Sequence, residues 1–264
     1  MNLKKTYVEK RGLEKVVTER NSPLTYLELD FLMLGEGEEH TIDEINKEFA
    51  LIIVRGKCSV SGDGFSFPTV GRRETAFDGP AEAVYIGKDT PFTVTAVGGE
   101  VKIAVCKAPA RYAYPPVYVP TEEIKVKDLG KGSYARVAAF NLPETVKANL
   151  LYIGEFWVDD GNWASYPPHK HDIDNMPTEG HLDEIYYFEF DKPQGFGFQA
   201  VYSKEGDINE VYKVKSGDLV EVPKGYHPFT VAPGYKNYTL WIMAGKDRGI
   251  FCTGEEEHKW VNNR

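Results

Sequence analysis

The sequence predicts an all-β protein built as two similar barrels in tandem, and three observations carry that prediction. Tyr, Phe, Val and Ile are frequent, Gly and Pro punctuate the chain at short intervals, and segments related by a near-constant offset recur in its two halves. β-Branched and aromatic residues suit a pleated, half-buried surface, and closely spaced turn residues keep the strands short, as in sandwiches and barrels. Helical periodicity is scarce, and Pro120-Thr121-Glu122-Glu123-Ile124 reads as no more than a single helical turn.

The repeat has two matching blocks. Ile86-Gly87-Lys88-Asp89-Thr90-Pro91-Phe92-Thr93-Val94 aligns with Pro223-Lys224-Gly225-Tyr226-His227-Pro228-Phe229-Thr230-Val231, an offset of 137. Upstream, Glu48-Phe49-Ala50-Leu51-Ile52-Ile53 resembles Glu184-Ile185-Tyr186-Tyr187-Phe188, an offset of 136. Two matches at one spacing favour duplication over chance among β-rich segments. Pro and Gly cluster from Pro115-Pro116 to Gly130-Lys131-Gly132, so the expected domains are residues 1–125 and 126–264.

Length and composition bound the function. At 264 residues the chain is long enough for one large or two modest domains, each with its own core. The 31 basic residues against 40 acidic ones give a formal charge of −9, which argues against nucleic acid or an anionic membrane as partner. No run of about 18 apolar residues occurs, and the basic start Met1-Asn2-Leu3-Lys4-Lys5 leads into no apolar stretch, so the expected location is the cytoplasm. Cys58, Cys106 and Cys252 are odd in number and widely spaced, which fits incidental thiols in a reducing compartment better than a disulfide framework.

The histidines concentrate in the second half. Pro167-Pro168-His169-Lys170-His171 sets two imidazoles two residues apart, and on a strand residues i and i+2 share a face. Glu184 opens an alternating run that places it on one face with Tyr186 and Phe188. A third imidazole, His227, follows the turn Pro223-Lys224-Gly225. A His-x-His pair alone is common on strand surfaces; the added Glu and the Pro-x-Gly-x-His turn make the joint pattern specific. Three imidazoles and a carboxylate suit one divalent zinc, manganese, iron or nickel ion per chain. In the first half Thr90 occupies the place of His227 and Glu48 that of Glu184, while His40 has no His-x-His companion, so that barrel is expected to be a degenerate copy without metal. His181 and His258 read as solvated residues.

This is the pattern of the cupins, and within them the chain resembles the 5-deoxy-glucuronate isomerases of myo-inositol breakdown, which makes it a bicupin. The resemblance is carried by Gly161-Asn162-Trp163-Ala164-Ser165-Tyr166-Pro167-Pro168-His169-Lys170-His171-Asp172, by Val222 to Pro228, and by Met243-Ala244-Gly245. Gly71-Arg72-Arg73-Glu74 with Phe77, and the ending His258-Lys259-Trp260, extend it over most of the chain. The chain departs from that pattern at Ala200, where an arginine is expected after Gln199, and at Ala135, where an asparagine is expected before Arg136.

The resemblance implies an aldose–ketose isomerisation of 5-deoxy-D-glucuronate to 5-dehydro-2-deoxy-D-gluconate, with the metal in the second barrel. Moving a carbonyl from C1 to C2 needs removal of a proton beside a carbonyl and stabilisation of an enediolate, which a Lewis-acidic metal supplies. The base is open among Glu184, Tyr186, Asp174 and His181; Lys170 alternates outward. Candidate cations for the substrate carboxylate are Arg136, Lys224 and Arg248. The rival readings are a related uronate ketol-isomerase of pectin breakdown, a cupin dioxygenase, and a non-catalytic sugar-binding protein. Exposed sheet edges lead us to expect a homo-oligomer.

Overall fold

Alternating side chains sort the strands into layered sheets in a computed structural model that describes residues 2–263. In the first half, a large sheet runs in the order Val117–Val119, Ala83–Ile86, Lys47–Arg55, Val101–Pro109, Glu28–Leu34 and Gly12–Val17. A smaller sheet of Glu39–Ile42, Phe92–Ala96, Cys58–Gly62 and Phe65–Val70 closes over it. The second half repeats the plan. Its large sheet runs Lys4–Thr6, Asp218–Val222, Glu179–Phe190, Asn237–Gly245, Leu151–Val158, Arg136–Phe140 and Lys125–Leu129, and its small sheet Trp163–Ala164, Phe229–Val231, Gly197–Tyr202 and Asn209–Val214. The expected helical turn is the 3-10 turn Thr121–Glu123. The all-β, bicupin expectation holds.

Period-two alternation gives each large sheet two buried faces. In Lys47–Arg55, Phe49, Leu51 and Ile53 point into the first barrel, while Ala50, Ile52 and Val54 point into a core shared by the two large sheets. In Glu179–Phe190, Ile185 and Tyr187 join that shared core, while Leu182, Tyr186, Phe188 and Phe190 face the second barrel. The large sheets therefore pack back to back, and each barrel interior lies on the far side of its own large sheet.

Polar side chains cross the shared core, each with partners. Arg73, from the Gly71–Glu74 block, sits 2.7 Å from Glu155 of the other half. Glu155 also accepts from Tyr238 Oη at 2.6 Å, Asn141 Nδ2 at 2.8 Å and the Ala81 amide at 2.9 Å. Such a pair persists in an apolar core only because its remaining hydrogen-bonding groups are met.

The strand Lys4–Thr6 joins the second half although it lies in the first 125 residues. It pairs with Asp218–Val222 in the second half's sheet, and Leu3 is buried inside the second barrel. Nothing in the composition of the first ten residues signals this exchange.

Candidate metal centre

Three strands and one turn bring the imidazoles and the carboxylate together. The short pairing of His169–Lys170 with Thr253–Gly254 fixes the His-x-His segment. Glu184 lies in the middle of its sheet, opposite Val222 on one side and Met243 on the other. His227 follows the tight turn at Gly225, whose φ of 90° suits glycine and where an added Cβ would lie 2.4 Å from the Tyr202 carbonyl oxygen.

His171, Glu184 and His227 are buried, and their potential ligand atoms all lie within 4.8 Å of one another. His171 Nε2 is 3.0 Å, and His227 Nε2 3.2 Å, from Glu184 Oε2. The far nitrogens are pinned: His171 Nδ1 is 2.9 Å from the Leu182 carbonyl and His227 Nδ1 is 2.9 Å from the Gly225 carbonyl. A carbonyl only accepts, so each Nδ1 carries a proton, and in the neutral ring Nε2 turns a lone pair toward the carboxylate. His227 Nε2 is buried without a hydrogen-bond partner. Two lone pairs and an anion facing one another call for a cation, and Nδ1–H bound to a carbonyl is the usual support of a metal-binding imidazole. The donor set fits a divalent metal.

His169 stands beside this trio, its ring centroid 4.8 Å from that of His227 and 6.3 Å from that of His171. Burial and the neighbouring imidazoles His227 and His171 push its pKa well below the ordinary histidine value, which keeps the ring neutral. Burial works against charge on Glu184, but the two imidazoles prevail and hold its carboxyl far below the usual carboxylate range. His171 is shifted up, because its bond to Glu184 more than offsets burial.

A cavity of about 250 Å³ opens beside the trio, with His169, Glu184, Tyr186, Ser165 and Arg136 among its polar lining. Tyr186 Oη and Ser165 Oγ are 2.8 Å apart. Ser165, buried and held at φ 50°, is a site residue that sequence reasoning passed over, although it lies inside the most specific block. Of the candidate cations only Arg136 lines this cavity. Its guanidinium donates to the Tyr134 carbonyl at 3.3 Å. Arg248 instead donates to the carbonyls of Leu151, Leu142 and Pro143, and Lys224 pairs with Asp207 at 2.6 Å. Two of the candidate bases also lie elsewhere: Asp174 is exposed and paired with Lys246 at 3.0 Å, and His181 is exposed on its strand. Lys170 turns away from the imidazoles toward Asp172 and Glu179, as alternation requires.

One expectation is corrected. Glu48 is not the counterpart of Glu184. It faces the shared core, where it accepts from the amides of Asn149 and Leu150, each at 2.6 Å, from that of Leu151 at 2.8 Å, and from Tyr85 Oη at 2.8 Å. The inward residue at that level is Phe49, paired with Ile86 as Glu184 is paired with Val222. The alignment was off by one, and on a strand one position reverses the face. Ala200, where the chain departs from the family pattern, lies on the less buried face of its strand. Gln199 is the buried residue, donating through Nε2 to the His227 carbonyl, and position 200 alternates to the opposite face.

Comparison with known proteins adds the following. Residues 3–261 match the KduI/IolB family. A protein named 5-deoxy-glucuronate isomerase from Bacillus subtilis subsp. natto is 38% identical over 250 residues, covering 94% of this chain and 92% of that one. The protein of that name from Shouchella clausii is 36% identical, covering 98% and 97%. The crystal structure of an IolB-like protein from Salmonella typhimurium LT2 superposes with a TM-score of 0.95 at 35% identity, over 99% of this chain and 100% of that one. Variants of Bacillus subtilis oxalate decarboxylase match with a TM-score of 0.65 at 13% identity, a likeness of fold alone.

Proposed function

The chain belongs to the KduI/IolB family, and from that premise we propose that it is an aldose–ketose isomerase converting 5-deoxy-D-glucuronate to 5-dehydro-2-deoxy-D-gluconate in inositol catabolism. The observation that carries the reading is full-length likeness to relatives bearing that activity in their names, at 36–38% identity.

The buried trio supports a metal held by His171 Nε2, His227 Nε2 and Glu184, with His169 of the His-x-His segment as the fourth ligand. When bound, one divalent metal per chain supplies a Lewis acid for the charge that builds on the C1 and C2 oxygens. Arg136 is the cation for the substrate carboxylate, being the only one of the three candidates that lines the cavity. Tyr186 is neutral, pushed well above its ordinary pKa by burial and by Glu184, so it serves as a donor to a substrate oxygen while Ser165 orients its hydroxyl. Glu184 is the carboxylate within reach of the carbons between which the proton moves.

Proton NMR in deuterated buffer tests this. Metal-loaded protein should turn 5-deoxy-D-glucuronate into its 2-deoxy-5-keto partner without nicotinamide, ATP or oxygen, with deuterium entering C1 where the base exchanges with solvent. No turnover at full metal loading refutes the assignment. Turnover that needs oxygen indicates a dioxygenase, and preference for the pectin-derived uronate in a parallel assay indicates the other ketol-isomerase.

A further inference from the structure

Between its two polar ends the pocket floor is mostly carbon, with the Trp241 indole as its side chain carrying an N–H. Glu184 and Tyr186 stand on Glu179–Phe190; Arg136 stands three strands away across Asn237–Gly245 and Leu151–Val158. At the usual strand spacing that is about 14 Å along the sheet, which an inward-reaching arginine and a six-carbon acid span together. The intervening strands present Met243, Trp241 and Phe156, and next to Arg136 on its own strand comes Ala138. Ala138 lies directly opposite Phe156. Trp241 can lie flat here because its ladder partner is Gly154, where an added Cβ would come within 2.1 Å of the indole.

We propose that Ala138 and Phe156 are specificity determinants that select a sugar acid bearing no oxygen on the carbon next to its carboxylate. The inference rests on the orientation given above, with the C1 and C2 oxygens at the imidazole end and the carboxylate on Arg136. In that orientation C5 lies over the Ala138–Phe156 pair. A methylene there meets the carbon side chains of Ala138 and Phe156, whereas a hydroxyl would leave water for a pair that offers it no hydrogen bond. An apolar site disfavours such an added hydroxyl by about a hundredfold, because it offers no hydrogen bond but needs little extra space.

The test supplies the missing partner through Ala138→Ser and Phe156→Tyr. We would measure kcat/KM for 5-deoxy-D-glucuronate and D-glucuronate with each metal-loaded protein. Glucuronate closes a ring through its 5-hydroxyl, which depletes the open chain equally for every variant, so the change in the substrate ratio reads the floor. At least one hydroxyl variant should shift the ratio tenfold or more toward glucuronate, while Arg136→Gln lowers both substrates together and leaves the ratio in place. A ratio unmoved in both folded variants overturns the proposal. If the wild type turns over neither acid, calorimetric binding gives the same ratio, so loss of the isomerase reading stays separable from loss of this one. Binding of neither acid overturns both.

Discussion

At the level where the second barrel holds Glu184, the first holds Phe49, and the ladders make the two positions equivalent. Phe49 stands against Ile86 and Lys107 as Glu184 stands against Val222 and Met243. Around Phe49 the first interior is filled by Leu51, Ile53, Val84 and Phe92, with the Phe49 and Phe92 rings 5.3 Å apart. Its mouth is occupied too: Lys107, where the second barrel has Met243, is buried 2.7 Å from Asp30 and 3.3 Å from Glu44. The difference teaches that this scaffold needs no cluster of imidazoles to stand. One barrel closes the space with carbon and an ion pair, and the other leaves it open beside three imidazoles and a carboxylate.

His227→Ala should break the second barrel's distinction outright. It removes one of two pinned Nε2 donors, so metal loss should exceed the ten- to hundredfold typical of disturbing a supporting residue, and activity should vanish. Elemental analysis should read one metal per chain in the parent and none in the variant. Two metals in the parent would show that the first barrel is not silent.

The ion pair that plugs the first barrel gives the next effect in size. Lys107→Met copies Met243 into the first half but strands the buried Asp30 carboxylate, and should lower stability by about 3–5 kcal/mol in urea. Adding Asp30→Leu should recover most of it, since paired apolar replacement of a buried ion pair is often neutral or better. Metal content should stay at one per chain throughout.

Much of this contrast was legible in the sequence, because its signals are local. His-x-His spacing, the Pro-x-Gly-x-His turn and alternation after Glu184 each follow from a few adjacent residues. What could not be read depends on pairings distant in the chain. Lys4–Thr6 finds its partner more than 200 residues away, and the uses of Lys224 and Arg248 depend on Asp207 and on carbonyls near residues 142–151. Glu48 was misplaced because sequence similarity tolerates a shift of one, whereas strand faces do not.

Glu48→Gln sharpens that correction. The carboxylate takes three backbone amides and a tyrosine hydroxyl. An amide side chain must turn an NH₂ toward donors, so we expect a loss of about 2 kcal/mol, within the range for hydrogen bonds to a charged group. Metal content should not change; losing metal here would contradict both the metal-free first barrel and the place of Glu48 in the shared core.

Acid should act on one barrel only near neutrality. Nε2 must shed any proton to bind metal, and the metal-free pKa of His171 lies above its ordinary 6.5 because of Glu184. A raised pKa means the proton is held more tightly, so falling pH favours the metal-free form. Affinity should drop about tenfold per unit, near 1.4 kcal/mol, below that raised value. Metal titrations across this range should show it, and affinity that stays flat would count against imidazole ligation.

The smallest effect is expected at Thr90, the residue aligned with His227. Its hydroxyl donates to the Lys88 carbonyl at 3.2 Å and reaches nothing in the barrel interior. Thr90→Ala should therefore change stability by no more than about 0.5 kcal/mol, as for surface substitutions elsewhere. Thr90→His is the stronger form of the test. It restores the imidazole that the repeat lacks, yet the inward positions of the neighbouring strand remain Phe49, Leu51 and Ile53, which offer no donor. The carboxylates at the mouth, Asp30 and Glu44, are already engaged by Lys107, and one added imidazole does not by itself make a site. Metal should stay at one per chain, and a second bound ion would show that the first barrel lacks a metal only for want of this residue.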